Sequence, residues 1–377
     1  MSTSTVWSPI SAGRALLSKV LTPHDIHAAL TAQKPGVVVR VAVDALGGDH
    51  APEVVVEGAL EAAGDLLHVL LVGPQDTLRE LLPTGGHPHV EIVPATDRIG
   101  SGDEPVEAVR GRPQSSLVVA ARLVADGRAD AFVSMGNTGA ALAAGLLHVH
   151  RIKGVLRPAL CTLLPAVPLP VVFLDAGANA EVRPEALRQF AVLGQVFAQE
   201  MLGIERPSVG LLSIGEEPTK GTQVVIEAHK LMAADPQINF YGNVEGRDLT
   251  RHTVDVIVAD GFTGNVALKV FEGTARTIVG EIRNAVLGSL RAKIGAAIMS
   301  SDLKRIGAAL DPEQYGGAYL LGLRRPMIVG HGSSRASGVA NGIRTASRGV
   351  TSDLLPTIAR RLGDGGERPA APGAQAR

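Results

Sequence analysis

Short apolar runs rich in β-branched residues recur along the chain, and each gives way to glycine and small polar residues before a helical period begins. VVVRVAV (37–43) leads into DALGGDHAP, ADAFVS (129–134) into MGNTGA, VVFLD (171–175) into AGANAEV, and VGLLSI (209–214) into GEEPTKGT. INFYG (238–242) leads into NVEGRD, VDVIVA (254–259) into DGFTGN, and MIVG (327–330) into HGSSRA. Near-continuous apolar runs mark strands buried on both faces. Their alternation with helical segments predicts βαβ units. The expected fold class is therefore α/β, a mostly parallel sheet flanked by helices. Ligands of open α/β sheets bind outside the carboxyl ends of the strands, so these polar loops are expected to gather on one sheet edge.

Helical spacing is legible between the runs. It predicts helices over 115–127, 184–203 (with Pro184 in the first turn), 222–235 and 265–288, and it continues through 290–310. That last stretch interleaves Leu290, Ile294, Ile298, Leu303, Ile306 and Leu310 with Arg291, Lys293, Lys304 and Arg305. It reads either as a helical pair packed on its own domain or a dimer partner, or as a basic amphipathic tip touching a membrane surface. The expected division is a flexible N-terminal arm over 1–36, one α/β domain over 37–347 with a helical tip at about 285–310, a C-terminal helix over 348–362, and a disordered tail over 363–377.

Composition narrows the classes. The chain has 377 residues, enough to bury a sizeable core. Aromatic residues make up 3%, so the core must rest on Val, Leu, Ile and Ala. A net charge of -1 argues against a dedicated nucleic-acid binder. Cys161 is the single cysteine, which excludes an internal disulfide and a Cys-based metal cluster and fits a reducing compartment. It sits in PALCTLLPA and reads as a small buried hydrophobe. The N-terminus lacks the uninterrupted apolar core of a signal peptide, and no apolar run is long enough to span a bilayer. The expectation is a cytoplasmic protein.

The candidate chemistry lies in the loops. In GEEPTKGT, Lys220 would add a full charge at a helix N-terminus, where backbone N–H groups already attract anions. The plain alternative is a solvated turn whose charges pair weakly. MGNTGA offers Asn137 and Thr138, which are equally good N-caps. DAGANAE has a turn reading, and Glu245 and Arg247 of NVEGRD can simply pair with each other. DALGGDH lacks the full spacing of a dinucleotide loop, and His50 there stands alone. HGSS adds His331 and hydroxyls, but no G-x-S-x-G elbow is present. No H-E-x-x-H or clustered carboxylate motif calls for a metal. In DGFTGN, Asn265 either caps the following helix or aims its amide at a carbonyl or phosphate oxygen.

Taken together, VAVDALGGDHAP, the serine pair of QSSLVVAARLV, GNTGA, LDAGAN, IGEEPTKG, GNVEGRD, DGFTGNV, YGGAYLLGL and HGSS closely resemble the bacterial phosphate acyltransferase family of phospholipid synthesis (the PlsX type). The match runs in the family's order from about Val37 to Ser347. Met135 stands where the family usually has alanine, Ser213 replaces the usual asparagine before IGEE, SGDEPVEAVR (101–110) is a looser version of an Asp-rich loop, and the N-terminal arm is extra. The resemblance implies an isocitrate-dehydrogenase/phosphotransacetylase-like fold with a protruding helical hairpin. It implies a homodimer that moves a long acyl chain from acyl carrier protein to inorganic phosphate without a metal or nicotinamide cofactor. It also implies a cytoplasmic, peripherally membrane-associated protein feeding a membrane glycerol-phosphate acyltransferase.

The family's critical lysine and asparagine fall on Lys220 and Asn265, facing each other across phosphate and thioester. Asn137, Thr138, Asn179, Glu216, Asn243 and Thr263 are the implied substrate or phosphate neighbours. This fits the reaction, since phosphate is itself the nucleophile and no acylated Ser or Cys is needed. Acyl carrier protein is acidic, and Arg151, Lys153 and Arg157 of VHRIKGVLR offer one basic dock. The rival readings are a short-chain acyl-CoA phosphotransacetylase, a nicotinamide-dependent decarboxylating dehydrogenase and a non-catalytic lipid-binding scaffold. The dehydrogenase would need a metal-binding carboxylate set that the sequence lacks.

Overall fold

A computed structural model of the chain describes residues 23–309 and 311–363. Its strands are β1 (Val39–Asp44), β2 (Leu67–Gly73), β3 (Val90–Pro94), β4 (Ala131–Ser134), β5 (Ala159–Leu164), β6 (Val171–Leu174), β7 (Val209–Leu212), β8 (Phe240–Val244), β9 (Val256–Val258), β10 (Ala318–Leu321) and β11 (Met327–Val329). They form one sheet in the order β3-β2-β1-β4-β11-β10-β5-β6-β9-β7-β8.

The sheet is buried on both faces, and the period of two in each strand shows why. Val41 and Val43 enter one apolar cluster while Ala42 enters the other. Val172 and Leu174 likewise part from Val171 and Phe173. Alternate residues of a strand point to opposite faces, so both faces need an apolar cover, which explains the unbroken apolar runs. Helices Glu53–Ala62, Pro184–Leu202 and Ala336–Thr351 supply one cover; Ser116–Ala125 and Thr138–Ala144 supply the other. Cys161 is buried in the first cluster. Burial there pushes its thiol far above the usual range, with a smaller contribution from Asp175.

The polarity of the strands corrects one expectation. β1, β2, β3, β4 and β11 run parallel to one another. So do β6, β9, β7 and β8. Between the two blocks lie three antiparallel pairings, β11 with β10, β10 with β5, and β5 with β6. An odd number of reversals turns the second block against the first. The seven polar loops therefore do not share one edge. Those after β1, β4 and β11 open at one end of the strands, and those after β6, β7, β8 and β9 open at the other.

The ends of the chain also differ from expectation. Within the arm expected to be flexible, Pro23–Thr31 is a helix whose Ile26 and Leu30 are buried in the core, because it docks on Pro184–Leu202 and Ala336–Thr351. Residues 1–22 and the tail beyond Gly363 lie outside the described residues. The expected boundary at 347/348 falls inside Ala336–Thr351, and the last helix is Leu354–Gly363, held by buried Leu354, Ile358 and Leu362. The tip is not one continuous helix. Gly261–Leu287 is followed by Leu290–Ile298, capped by Ser289, and then by Ser300–Ala309. Only Gly261 and Gly264 of the first are buried, and none of the second. Lys304, Arg305 and Leu310 of this stretch lie outside the described side chains.

Candidate active site

The loop after β9 is built by Asp260, the last residue before helix Gly261–Leu287. The Thr263 N–H donates to Asp260 Oδ1 at 2.8 Å, and the Thr263 hydroxyl donates to Oδ2 at 2.7 Å. Asp260 is therefore the N-cap, a role its short acceptor side chain suits. Asn265 is not the cap and lies one turn inside the helix. This helix starts four residues earlier than the apolar period indicated, because DGFTG already winds into its first turn. The Thr263 hydroxyl is engaged within the loop rather than turned outward.

Next to it stands the loop after β6. Asp175 is buried there, and its carboxylate accepts from the backbone N–H groups of Leu160, Gly177, Ala178 and Asn179 and from the Asn179 amide, all within 2.8–3.1 Å. Burial pushes its carboxyl above the usual range, against the pull of those hydrogen bonds. The Asn179 amide also donates to Pro158 O at 2.7 Å, and Asn179 O accepts from Gly261 N at 2.8 Å. The two loops touch so closely that a Cβ on Gly264 would overlap the Asp175 carbonyl, and one on Gly261 the Asn179 carbonyl. The Asn265 side chain lies against Gly177, 3.4–3.5 Å from where a Cβ would stand. Asn179 thus braces the loops, while the exposed side chain of Asn265 has no hydrogen-bond partner among the described residues.

On the other side of β9 lies the loop after β7. Lys220 N donates to Glu217 O at 3.0 Å, closing a turn that brings the Lys220 side chain over Gly215. The Ser213 hydroxyl donates to Lys220 O at 3.0 Å. The Lys220 ammonium is exposed and makes no ion pair among the described residues. Buried Asn243 at the end of β8 donates to Glu217 O at 2.8 Å and accepts from His229 Nδ1 at 2.9 Å. Its amide is used up in holding the turn. Arg247, from the short helix after β8, donates to Glu216 Oε1 and to Glu245 Oε2, each at 2.8 Å.

Lys220 and Asn265 thus sit on neighbouring strand-end loops, since β9 pairs with both β6 and β7. Adjacent strands are about 4.8 Å apart. Both side chains are exposed, and neither has a hydrogen-bond or ion-pair partner among the described residues. The amino-terminal end of a 27-residue helix lies beside them and adds positive potential. Ile214 and Phe262, on the same two loops, are 82% and 68% exposed. The arrangement offers a cation, an amide and an apolar flank to one ligand.

The opposite loop set is knit together internally. Asp44 at the end of β1 accepts from Ser116 Oγ at 2.5 Å and Ser134 Oγ at 2.7 Å. Its burial pushes the carboxyl above the usual range. Asn137 accepts from Ala140 N at 3.0 Å as an N-cap, and its amide donates to the carbonyls of Gly100, Ser101 and Asp103. Thr138, half-buried, follows it as the first residue of the capped helix. Asp49 N donates to Gly332 O, and His331 Nε2 donates to Glu272 Oε1 at 2.9 Å. The sequence reading missed Asp175, Asp260 and His229. The first two carried a signal, a carboxylate ending an apolar strand just before small residues. Among the described residues no group of three or more His, Cys, Asp or Glu side chains is arranged to hold a metal ion.

Residues 39–356 match the profile of the family described as "Fatty acid synthesis protein". A phosphate acyltransferase of Nostoc sp. is 45% identical over 324 residues, covering 85% of this chain and 95% of the relative. That of Brevibacillus brevis is 44% identical over 327 residues, covering 86% and 97%. Among solved structures, a phosphotransacetylase from Streptococcus pyogenes aligns with a TM-score of 0.57 at 17% identity, covering 88% of this chain and 99% of that one. The EutD phosphotransacetylase from Staphylococcus aureus aligns with a TM-score of 0.55 at 17% identity and the same coverage. Those two likenesses show a shared α/β fold. The sequence match over most of the chain shows the family, and this chain belongs to the phosphate acyltransferases.

Proposed function

We propose that the protein transfers a long-chain fatty acyl group from acyl carrier protein to inorganic phosphate, giving acyl phosphate and free carrier for phospholipid synthesis. The observation that carries this reading is the pair Lys220 and Asn265, exposed on neighbouring loops and without partners among the described residues. Lys220 holds the phosphate dianion, and an oxygen of that dianion attacks the thioester carbonyl carbon. Asn265 donates its amide hydrogen to the carbonyl oxygen as charge develops there. The carbon–sulfur bond then breaks and the carrier thiolate leaves. Holding nucleophile and thioester together supplies much of the rate. Asn179, Asn243, Thr263 and Asn137 act through the backbone they brace.

Ile214 and Phe262 support a greasy substrate, since covering each contributes about 1.5–3 kcal/mol. The protein works as a homodimer at the membrane surface, where exposed Leu290, Ile294 and Ile298 make contact. No helix among the described residues is long and apolar enough to cross a membrane. In the basic segment, Arg151 is taken up by the carbonyls of Val155 and Leu156. Lys153 and Arg157 remain exposed for an acidic carrier.

The test presents palmitoyl-carrier protein and acetyl-CoA in parallel with phosphate and traps acyl phosphate with hydroxylamine. Product from palmitoyl-carrier protein is expected. Product from acetyl-CoA alone would favour the short-chain reading that the phosphotransacetylase fold keeps open. Flotation with anionic vesicles tests the membrane contact, and unchanged flotation of L290E/I294E would remove it.

A further inference from the structure

The turn that carries Lys220 is crowded with carboxylates. Glu216 and Glu217 precede the lysine on the same turn, and Glu245 comes from the neighbouring loop after β8. Glu217 Oε2 lies 3.0 Å from where a Cβ on Gly215 would stand, and Lys220 Cγ lies 2.9 Å from the same point. An ammonium meant for a dianion is poorly placed among free carboxylates, which attract it and repel the ligand.

Arg247 changes that balance. Its two terminal nitrogens go to different carboxylates, Nη2 to Glu216 Oε1 and Nη1 to Glu245 Oε2. A guanidinium is a rigid fork that stays charged, so it ties the two glutamates to one another and offsets part of the negative charge on the turn, leaving Glu217 as the carboxylate it does not bind. The backbone around it is braced by other bonds. Asp248 accepts from Glu245 N and from the Thr253 hydroxyl, and Asn243 holds Glu217 O. All three side chains of the Arg247 cluster are partly exposed, so the pairs themselves add little stability.

We propose that Arg247 is a positioning residue of the phosphate site: by pairing with Glu216 and Glu245 it keeps the Lys220 ammonium available to the incoming dianion. This rests on the phosphate acyltransferase reading above. It reassigns Glu216 from a phosphate neighbour to a carboxylate that must be neutralised.

The test titrates inorganic phosphate calorimetrically into the full chain and measures phosphate-dependent acyl transfer beside it. The variants are R247A, R247K and R247A/E216Q/E245Q, with folding checked by thermal melting. R247A is expected to bind phosphate about tenfold more weakly, as one unit of unbalanced charge near a dianion dictates. Its KM for phosphate should rise by the same factor, with kcat within about threefold of wild type. R247K should fall between R247A and wild type. Removing the two carboxylates should return affinity to within about threefold of wild type, a rescue that loss of a structural contact would not give.

Wild-type affinity in R247A would overturn the proposal. So would a triple variant as weak as R247A, which would make the guanidinium itself a phosphate ligand. Phosphate binding without acyl transfer in the wild type would sink the parent reading, while the binding data still decide the role of Arg247.

Discussion

The loops after β1, β4 and β11 and those after β6, β7, β8 and β9 share one local grammar, yet they place different groups at the surface. In the first set Asp44 is held by two serines, Asn137 by a helix end and three carbonyls, and His331 by Glu272. In the second set Asn179, Asn243 and Arg247 are engaged as well, but the Lys220 ammonium and the Asn265 amide have no partner among the described residues. Residue type in a strand-end loop therefore does not by itself make a site. A site needs polar groups that the neighbouring loops leave unsatisfied while fixing the backbone that aims them.

Removing the Lys220 ammonium or the Asn265 amide should have the largest effect. Lys220→Ala and Asn265→Ala should each lower turnover at least a hundredfold, about 3–4 kcal/mol of barrier, with melting temperature unchanged. Near-wild-type rates for either would take that residue off the catalytic list. Next comes the contact that aims Asn265. Gly264→Ala forces a methyl into the Asp175 carbonyl and should cost about 3 kcal/mol of stability in urea unfolding. A cost under about 1 kcal/mol would mean that the two loops are not locked.

The first loop set should respond in the reverse sense. Asn137→Ala should cost about 1–2 kcal/mol of stability through its cap and its hold on residues 100–103, while turnover falls less than tenfold. A hundredfold loss would return Asn137 to the substrate.

The smallest effect concerns the bond between the two sets. Burial would raise the Glu272 carboxyl, but His331 and Lys269 outweigh it and hold it at about 2. A depressed carboxyl contributes stability above the usual glutamate range and loses it as pH falls through about 2. Glu272→Gln should therefore be about 1 kcal/mol less stable near neutral pH, after allowance for screening by solvent. Urea midpoints should show that deficit narrowing as pH falls below about 4.5. A deficit that grew with acid would reverse the sign and exclude this account.

Much of the fold was legible because it rests on local rules. All seven strands expected from β-branched runs exist, and the expected helices lie within a few residues of their predicted ends, 290–310 excepted, where two short helices replace one. Four strands were not marked, β2, β3, β5 and β10. Two of those, β5 and β10, carry the antiparallel pairings that reverse half the sheet. PALCTLLPA was legible as a buried apolar run, but an apolar run says nothing about which neighbour it will pair with or in which direction.

Seven of the eleven strands, the long helices, the two-faced burial of the strands and, through the motifs, the family are written in the residues alone. Periodicity and composition act locally and survive without knowledge of distant partners. Which loops meet depends on how distant strands pair. That tertiary arrangement turned the second block of strands against the first, gave the cap of Gly261–Leu287 to Asp260, and spent Asn137, Asn179 and Asn243 on bracing. Lys220 and Asn265 have no partner among the described residues because hydrogen-bond satisfaction is settled between neighbours in space, and those neighbours come from strands far apart in the chain.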